Sequence, residues 1–409
     1  MFLGLLNRSI FWELVRVFAL ALVGLTGLFM VAGLIQAAAQ MGLSAAQVVA
    51  VIPLLIPSSL PFTIPATTLF ASCVVYGRLA NDNEVVAIKA AGVDLLTVLR
   101  PAILLGLITA GVTAWLAAGP IPRTQQMVQR ELLKDPEEVL YNLLRRDRNL
   151  RNPGFPYAVY VKDVQGRRLV DVVVKKKQGV QIDEFGPRLV YDYVARFREA
   201  RLVVDLDRGK MAIDGDRFVA AGTVSQIDSA GGQTIEVDLP EMFSPNTIKA
   251  KTIALEWDDL APRRAELLTK VDELRQKRQT ARAAADREPN PTARVALQAQ
   301  DPHFETQIKE AQRNVRNVEY EYHIRPALAV GCLCFAVIGC PVGIWANRSD
   351  YLSTFVICFL PTVFIYYPLL LAGGGLGKDG KVPMAIGVWA ADAVVGLAAI
   401  VLTFRLIRR

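Results

Sequence analysis

Apolar residues crowd the two ends of this chain, and charge returns in the middle. Six stretches are apolar for at least the roughly 20 residues that a helix needs to cross a bilayer. They are about Phe18–Ala39, Ile52–Tyr76, Leu95–Ala118, Ile324–Ala346, Tyr351–Ala372 and Val382–Phe404. Three precede the polar middle and three follow it. Ala37–Ala39 could mimic a signal-peptide cleavage site. The run before it is long for a signal peptide and a second span follows closely, so it is read as uncleaved.

The middle carries two patterns. From Pro156 to about Leu255, short runs rich in β-branched and aromatic residues predict strands: Tyr157–Val161, Leu169–Val174, Leu189–Val194, Arg201–Leu206 and Thr234–Leu239. Gln165-Gly166, Arg208-Gly209 and Asp214-Gly215 read as turns between them. Many short strands without helical interruption predict a sandwich, a jelly roll or an open barrel. From about Asp258 the period becomes helical. Leu267, Val271 and Leu274 lead, after a break at Pro289-Asn290-Pro291, to Phe304, Ile308, Ala311, Val315, Val318 and Tyr322 at heptad spacing. Two antiparallel helices of about 30 Å each are expected, with Pro326 marking the junction to the fourth span.

Composition agrees with a membrane part wrapped around a water-exposed part. Of 409 residues, 52% are hydrophobic, and the 21% that are charged lie mostly in the middle. The net charge of +7 is accounted for by Lys and Arg flanking the spans and by Lys175–Lys177, so no nucleic-acid partner is inferred. All five cysteines, Cys73, Cys332, Cys334, Cys340 and Cys358, sit in apolar runs, which favours buried thiols over disulfides. Short-loop cations set the orientation. Arg8, Arg16, Arg78, Lys89, Arg100, Arg348, Arg405, Arg408 and Arg409 all fall on one side, against Lys378 and Lys381 on the other. The first side is therefore the cytoplasm, both termini lie there, and the segment from about Gly119 to His323 lies outside.

Chemistry of the usual kinds is sparse. His303 and His323 are the only histidines; Glu319 and Glu321 near His323 suggest a solvated face better than a metal site, and no catalytic cluster, metal site or cofactor is predicted. Gly375 to Gly380 fits a G-x-G-x-x-G spacing but joins two spans and follows no strand. Asp379 follows Gly377-Lys378 where a phosphate loop needs Ser or Thr, so ATP, if used, is hydrolysed by another chain. Asp392 lies inside the sixth span, where a carboxylate is a functional candidate: a proton relay or a partner paired within the bundle. No second acid in another span favours the pairing. Pro53, Pro57, Pro61 and Pro65 share one face of span two, which is read as a pliable seam or a kink satisfied by its neighbours.

The loop between spans two and three is the most informative segment. Asp82 is placed to cap a short helix starting near Glu84, with Val85, Ile88 and Ala91 on one side and Gly92 ending it. This is a short amphipathic helix on the cytoplasmic face, as a docking element would be.

At this loop the chain resembles the lipopolysaccharide export permeases of the LptF/LptG family. Gly77-Arg78-Leu79, Glu84 and Ala90-Ala91-Gly92 carry the likeness. It continues through Ala200–Asp205 with Gly209, Glu321-Tyr322-His323-Ile324-Arg325 and Pro341-Val342-Gly343. It spans nearly the whole chain. The resemblance implies an α-helical membrane domain of six spans (3 + 3), an all-β jelly-roll-like periplasmic domain and a helical hairpin insert. The expected boundaries are 1–120 for spans one to three with the coupling loop at 77–94, 121–257 for the β domain, 258–322 for the hairpin and 323–409 for spans four to six.

The resemblance also implies a non-catalytic inner-membrane subunit. Its expected partners are a cytoplasmic ABC ATPase dimer, a second permease subunit or a second copy of the chain, a periplasmic jelly-roll bridge protein, and lipopolysaccharide or a related lipid. Glu84, Arg78 and Gly92 would belong to the ATPase-coupling element. Lipid would enter between the first span of one subunit and the fifth of the other and pass into the β domain, where Val159, Val161, Leu202 and Val204 offer apolar faces. Gln36 and Gln40 stand where family members often carry basic residues, and the hairpin is longer than in the family. The competing reading is a transmembrane scaffold whose hairpin tethers a partner.

Overall fold

A computed structural model describes residues 4–41, 45–132, 136–150, 157–183, 186–205, 210–222, 226–229, 233–238, 252–287, 301–345, 353, 356–357 and 360–408. The chain divides into two compact units. One comprises Met1–Phe29, Ile56–Thr124 and Thr252–Arg409, and the other Met30–Leu55 and Gln125–Lys251.

The first unit is helical. It holds α1 (Leu5–Met41) as far as Phe29, α2 (Ala45–Asn81) from Ile56, α3 (Glu84–Ala90), α4 (Leu95–Ala118) and the start of α5 (Pro120–Leu132), to Thr124. After the second unit come α7 (Trp257–Arg287) and α8 (Asp301–Trp345), a π-helical turn at Thr362–Tyr366, α9 (Tyr367–Lys378) and α10 (Met384–Arg408). Among the described residues five helical stretches are long and apolar enough to cross a membrane: Leu5–Gly33, Ile56–Asn81, Leu95–Met127, Phe304–Trp345 and Met384–Arg408. The first starts well before Phe18, because Ile10 and Leu14 are buried against Val75, Tyr76 and Leu79 of α2. The span expected at Tyr351–Ala372 falls partly outside the described residues.

Prolines do not break these helices. α2 runs through Pro53, Pro57, Pro61 and Pro65. The hydroxyls of Thr67 and Thr68 donate to the carbonyls of Thr63 and Ile64 at 2.9 and 2.8 Å. Tyr367 donates to the carbonyl of Phe62, so side-chain hydroxyls from α2 itself and from α9 reinforce the helix around Pro61 and Pro65. α8 also passes through Pro326 without interruption. One lost N–H bond is tolerated there because Ile324, Ala327 and Leu328 are buried on either side of it. The hairpin's second helix and span four are thus a single helix, where a junction was expected.

The hairpin is longer than its heptads predicted: the 31 residues of α7 extend about 46 Å at 1.5 Å per residue. Leu260, Leu267 and Val271 pack on Ala311, Val315 and Val318 of α8. Two arginines of α7 grip the start of α8. Arg278 and Arg282 each make a bidentate contact with Asp301, at 2.8 and 2.9 Å and at 2.7 and 2.6 Å. These donors hold the Asp301 carboxyl far below its ordinary range.

The second unit carries one antiparallel sheet: β1 (Asn149–Leu150), β2 (Tyr157–Gln165), β3 (Arg168–Asp183), β4 (Gly186–Asp205), β5 (Lys210–Gly222), β6 (Gln226–Ser229) and β7 (Gln233–Asp238). Strands β1 to β6 pair in sequence order, and β7 also pairs with β5. The runs read as separate strands, Leu189–Val194 and Arg201–Leu206, fall on one strand, β4, as far as Asp205; Leu206 lies outside the described residues. The ladder of β4 to β3 and β5 continues through Ala195–Ala200, so pairing overrides a local dip in strand propensity. Gly166, at φ 60°, makes the predicted turn between β2 and β3. Asp214-Gly215 makes no turn and lies inside β5, opposite Arg201 and Ala200. A Cβ at Gly215 would stand 2.6 Å from the Phe197 ring, so this glycine makes room for an aromatic on the neighbouring strand. Arg208-Gly209 lies outside the described residues.

Candidate functional site

The loop helix α3 is where the sequence placed it, with a different start. Asn83, at φ 59° and ψ 14°, precedes it in the left-handed region and makes no side-chain capping bond. Asp82 is therefore not the cap. Asn tolerates that conformation better than most residues. The other end follows expectation: Gly92 sits at φ 75°, its N–H donates to Lys89 at 3.0 Å and that of Val93 to Ile88 at 3.2 Å, a Schellman closure. Val85 is buried and Ile88 packs beside it in a cluster that includes Ile10, Leu14, Leu79 and Leu95. Ala91, expected on that inner face, is exposed. Glu84, Val86 and Lys89 face outward, and Val86 is 63% exposed.

The root of the loop is held on three sides. The buried Tyr76 hydroxyl donates to the carbonyl of Val98 on α4 at 2.7 Å. Gly77 meets Gly343 of α8 backbone to backbone. Arg78 forms an ion pair with Glu13 of α1. Arg78 is thus engaged within the chain, while Glu84 has no side-chain partner among the described residues. Sequence reasoning missed Glu13. The available signal was a lone carboxylate in the apolar lead into span one.

Asp392 is 4% exposed on α10. Its Oδ1 accepts from the Tyr366 hydroxyl at 3.0 Å, and Oδ2 has no hydrogen-bond partner among the described residues. The π-helical turn ends on Tyr366 and delivers that hydroxyl. Gly331 of α8 lies against the pair, since a Cβ there would approach Tyr366 Oη to 2.5 Å. Beside Tyr366, Leu69, Phe335, Ile338, Pro361 and Ile365 line an apolar cavity of about 220 Å³.

The four positions expected on a lipid path share one face of the sheet. Val159, Val161 and Leu202 are buried and Val204 is half-buried, in a core with Phe197, Met211 and Ile213. The face is covered by α6 (Pro136–Asp147), which inserts Leu140, Tyr141 and Leu144. The Leu202 N–H donates to the Tyr141 hydroxyl at 2.8 Å, and the Val204 N–H to Glu137 Oε1 at 3.2 Å. Burial raises the Tyr141 hydroxyl above its ordinary range. The strand alternation said nothing of this helix, although Leu140, Tyr141 and Leu144 recur at helical spacing.

A charged cluster joins α8 to the end of α9. Glu321 and Arg325, the ends of one recognised motif, form a 3.2 Å pair one helical turn apart. Lys378 lies 3.6 Å over the ring of Tyr320, and its carbonyl accepts from Arg316 Nε at 2.6 Å. Desolvation lowers the Lys378 ammonium, opposed by Glu321. Gly375 and Gly377 are inside helix α9. Among the described residues no group of His, Cys, Asp and Glu is arranged to hold a metal ion.

Several helices long and apolar enough to cross a membrane, with an antiparallel sheet and a helical hairpin between the third and fourth of them in the chain, are the features of a multi-pass membrane protein. The chain matches the family model described as lipopolysaccharide export system permease LptF/LptG over residues 8–405, and it belongs to that family. No curated protein matches it.

Proposed function

We propose that the chain is one membrane subunit of an ATP-driven exporter that withdraws lipopolysaccharide, or a related lipid, from the inner membrane. It works beside a second permease subunit or a second copy of itself. The reading has six spans, both termini in the cytoplasm, and the sheet and hairpin in the periplasm. The observation that carries the ATP-driven part is α3: Val85 anchors the helix in the membrane unit, while Glu84, Val86 and Lys89 are left outward. A helix secured on one face and bare on the other suits a docked ATPase dimer, with Glu84 as the carboxylate offered to it, Gly92 shaping its end and Arg78 at its root.

Lipid on this route enters between the first span of one subunit and the fifth of its partner. It then follows the jelly-roll-like β domain along the face of Val159, Val161, Leu202 and Val204, and leaves for a periplasmic bridge of similar fold. Taking that face requires α6 to move off it.

Three measurements test the proposal. The chain should copurify with an ABC-type ATPase, and labels at Glu84 and Arg409 should report the same side of the membrane, opposite to Arg278. Photo-crosslinkers at Leu202 and Val204 should capture lipopolysaccharide during turnover, and one at the outward Val203 should not. Copurification without ATPase, or capture only at Val203, rejects the corresponding part.

A further inference from the structure

We propose that Glu13 is a positioning residue that ties span one to the ATPase-docking loop through Arg78, so that movement of the loop is passed to the helix beside which lipid enters. The inference rests on the function proposed above. Glu13 lies on α1 between Ile10 and Leu14, both buried against α2, and its carboxylate meets the Arg78 guanidinium in the last turn of α2. Val85 of α3 belongs to the same buried cluster. Span one and the loop helix therefore belong to one apolar cluster, and an ion pair ties span one to the root of the loop.

The charge balance there is uneven. Asp82, Glu84 and Arg16 are within electrostatic reach of Glu13 along with Arg78, so three carboxylates share two cations. Arg78 goes to Glu13, which leaves Glu84 available to a cation on a docked partner. A partner's cation drawn to Glu84 acts on the same field that holds Arg78 to Glu13. The loop root is fixed to α4 by Tyr76 and to α8 by the Gly77–Gly343 contact. The Glu13 pair differs from these in being a half-exposed charge contact, able to slip and re-form as a buried hydrogen bond or a close helix crossing is not. An exposed ion pair adds little to stability, so such a contact can be changed without unfolding the unit.

The test uses the full chain with its ATPase and partner subunit in proteoliposomes containing lipopolysaccharide. ATPase association, ATP hydrolysis and lipopolysaccharide transferred per ATP are measured for wild type, Glu13→Gln, Arg78→Gln and the reversed pair Glu13→Arg/Arg78→Glu. Glu13→Gln should retain ATPase association while transfer per ATP falls by about fivefold or more, the lower end of ordinary coupling between sites. The reversed pair should recover most of it. Wild-type transfer per ATP in Glu13→Gln overturns the inference. So does a reversed pair that inserts and binds ATPase yet transfers no better than Glu13→Gln. If Glu13→Gln does not insert, the reversed pair compared with Arg78→Gln carries the test. Failure of the wild-type complex to transfer lipopolysaccharide would instead strike the function proposed above.

Discussion

Gly77 and Gly343 touch backbone to backbone, and each belongs to a short motif, Gly77-Arg78-Leu79 or Pro341-Val342-Gly343, on which the resemblance to the family rests. A Cβ on Gly343 would lie 2.5 Å from the carbonyl oxygen of Cys73 and 3.0 Å from the nitrogen of Gly77. The loop motif on α2 and the Pro341-Val342-Gly343 motif on α8 are therefore two halves of one close helix crossing. A side chain on Gly343 must push the helices apart, so Gly343→Ala should destabilise the membrane unit by about 1–3 kcal/mol, as overpacking does. Thermal unfolding in detergent checks this. An unchanged transition would mean that the crossing has slack.

The α6 cover on the sheet should behave as a core element. Leu144→Ala should cost about 2–5 kcal/mol by leaving a cavity. Tyr141→Phe should cost about 1–3 kcal/mol, because the buried N–H of Leu202 loses its acceptor. Denaturant unfolding followed by fluorescence reads both. A Tyr141→Phe protein as stable as wild type would show that the N–H finds another partner.

Glu84→Ala separates two roles for one carboxylate. Beside the helix N-terminus it contributes about 0.3–1 kcal/mol through the dipole. As one partner of a desolvated interfacial pair its truncation costs about 2–5 kcal/mol, more than tenfold in affinity. The variant is expected to insert normally and to lose ATPase association or lipid-stimulated hydrolysis. Wild-type levels of both would leave Glu84 as a dipole partner only.

Acid should loosen the hairpin through Asp301. Its carboxyl is depressed by Arg278 and Arg282, whereas an unfolded aspartate titrates near about 3.9. The stabilisation is therefore present above about pH 4 and is lost as pH falls through the lower folded value. Asp301→Asn should lower the thermal transition at neutral pH and shrink the difference from wild type as the medium is made strongly acidic. A difference between the two proteins that grows with acid would contradict this linkage.

Local periodicity made much of the architecture legible. A helix that meets lipid must be apolar over its whole span, heptad positions must repeat wherever two helices share a seam, and β-branched runs betray strands. Each pattern is written within a short window, so five helices of membrane-crossing length, the paired faces of the hairpin and the position of α3 could be read from residue order. Gly92 was legible for the same reason, since a helix closing through a left-handed residue favours glycine. Only the tertiary structure decided that Leu189–Val194 and Arg201–Asp205 are one strand, that Gly215 makes room for Phe197, that α6 covers Val159 and Leu202, and that Glu13 takes Arg78. Each of these depends on a partner distant along the chain. The energy of such a contact appears only when folding has brought the two residues together, and no local spacing records it.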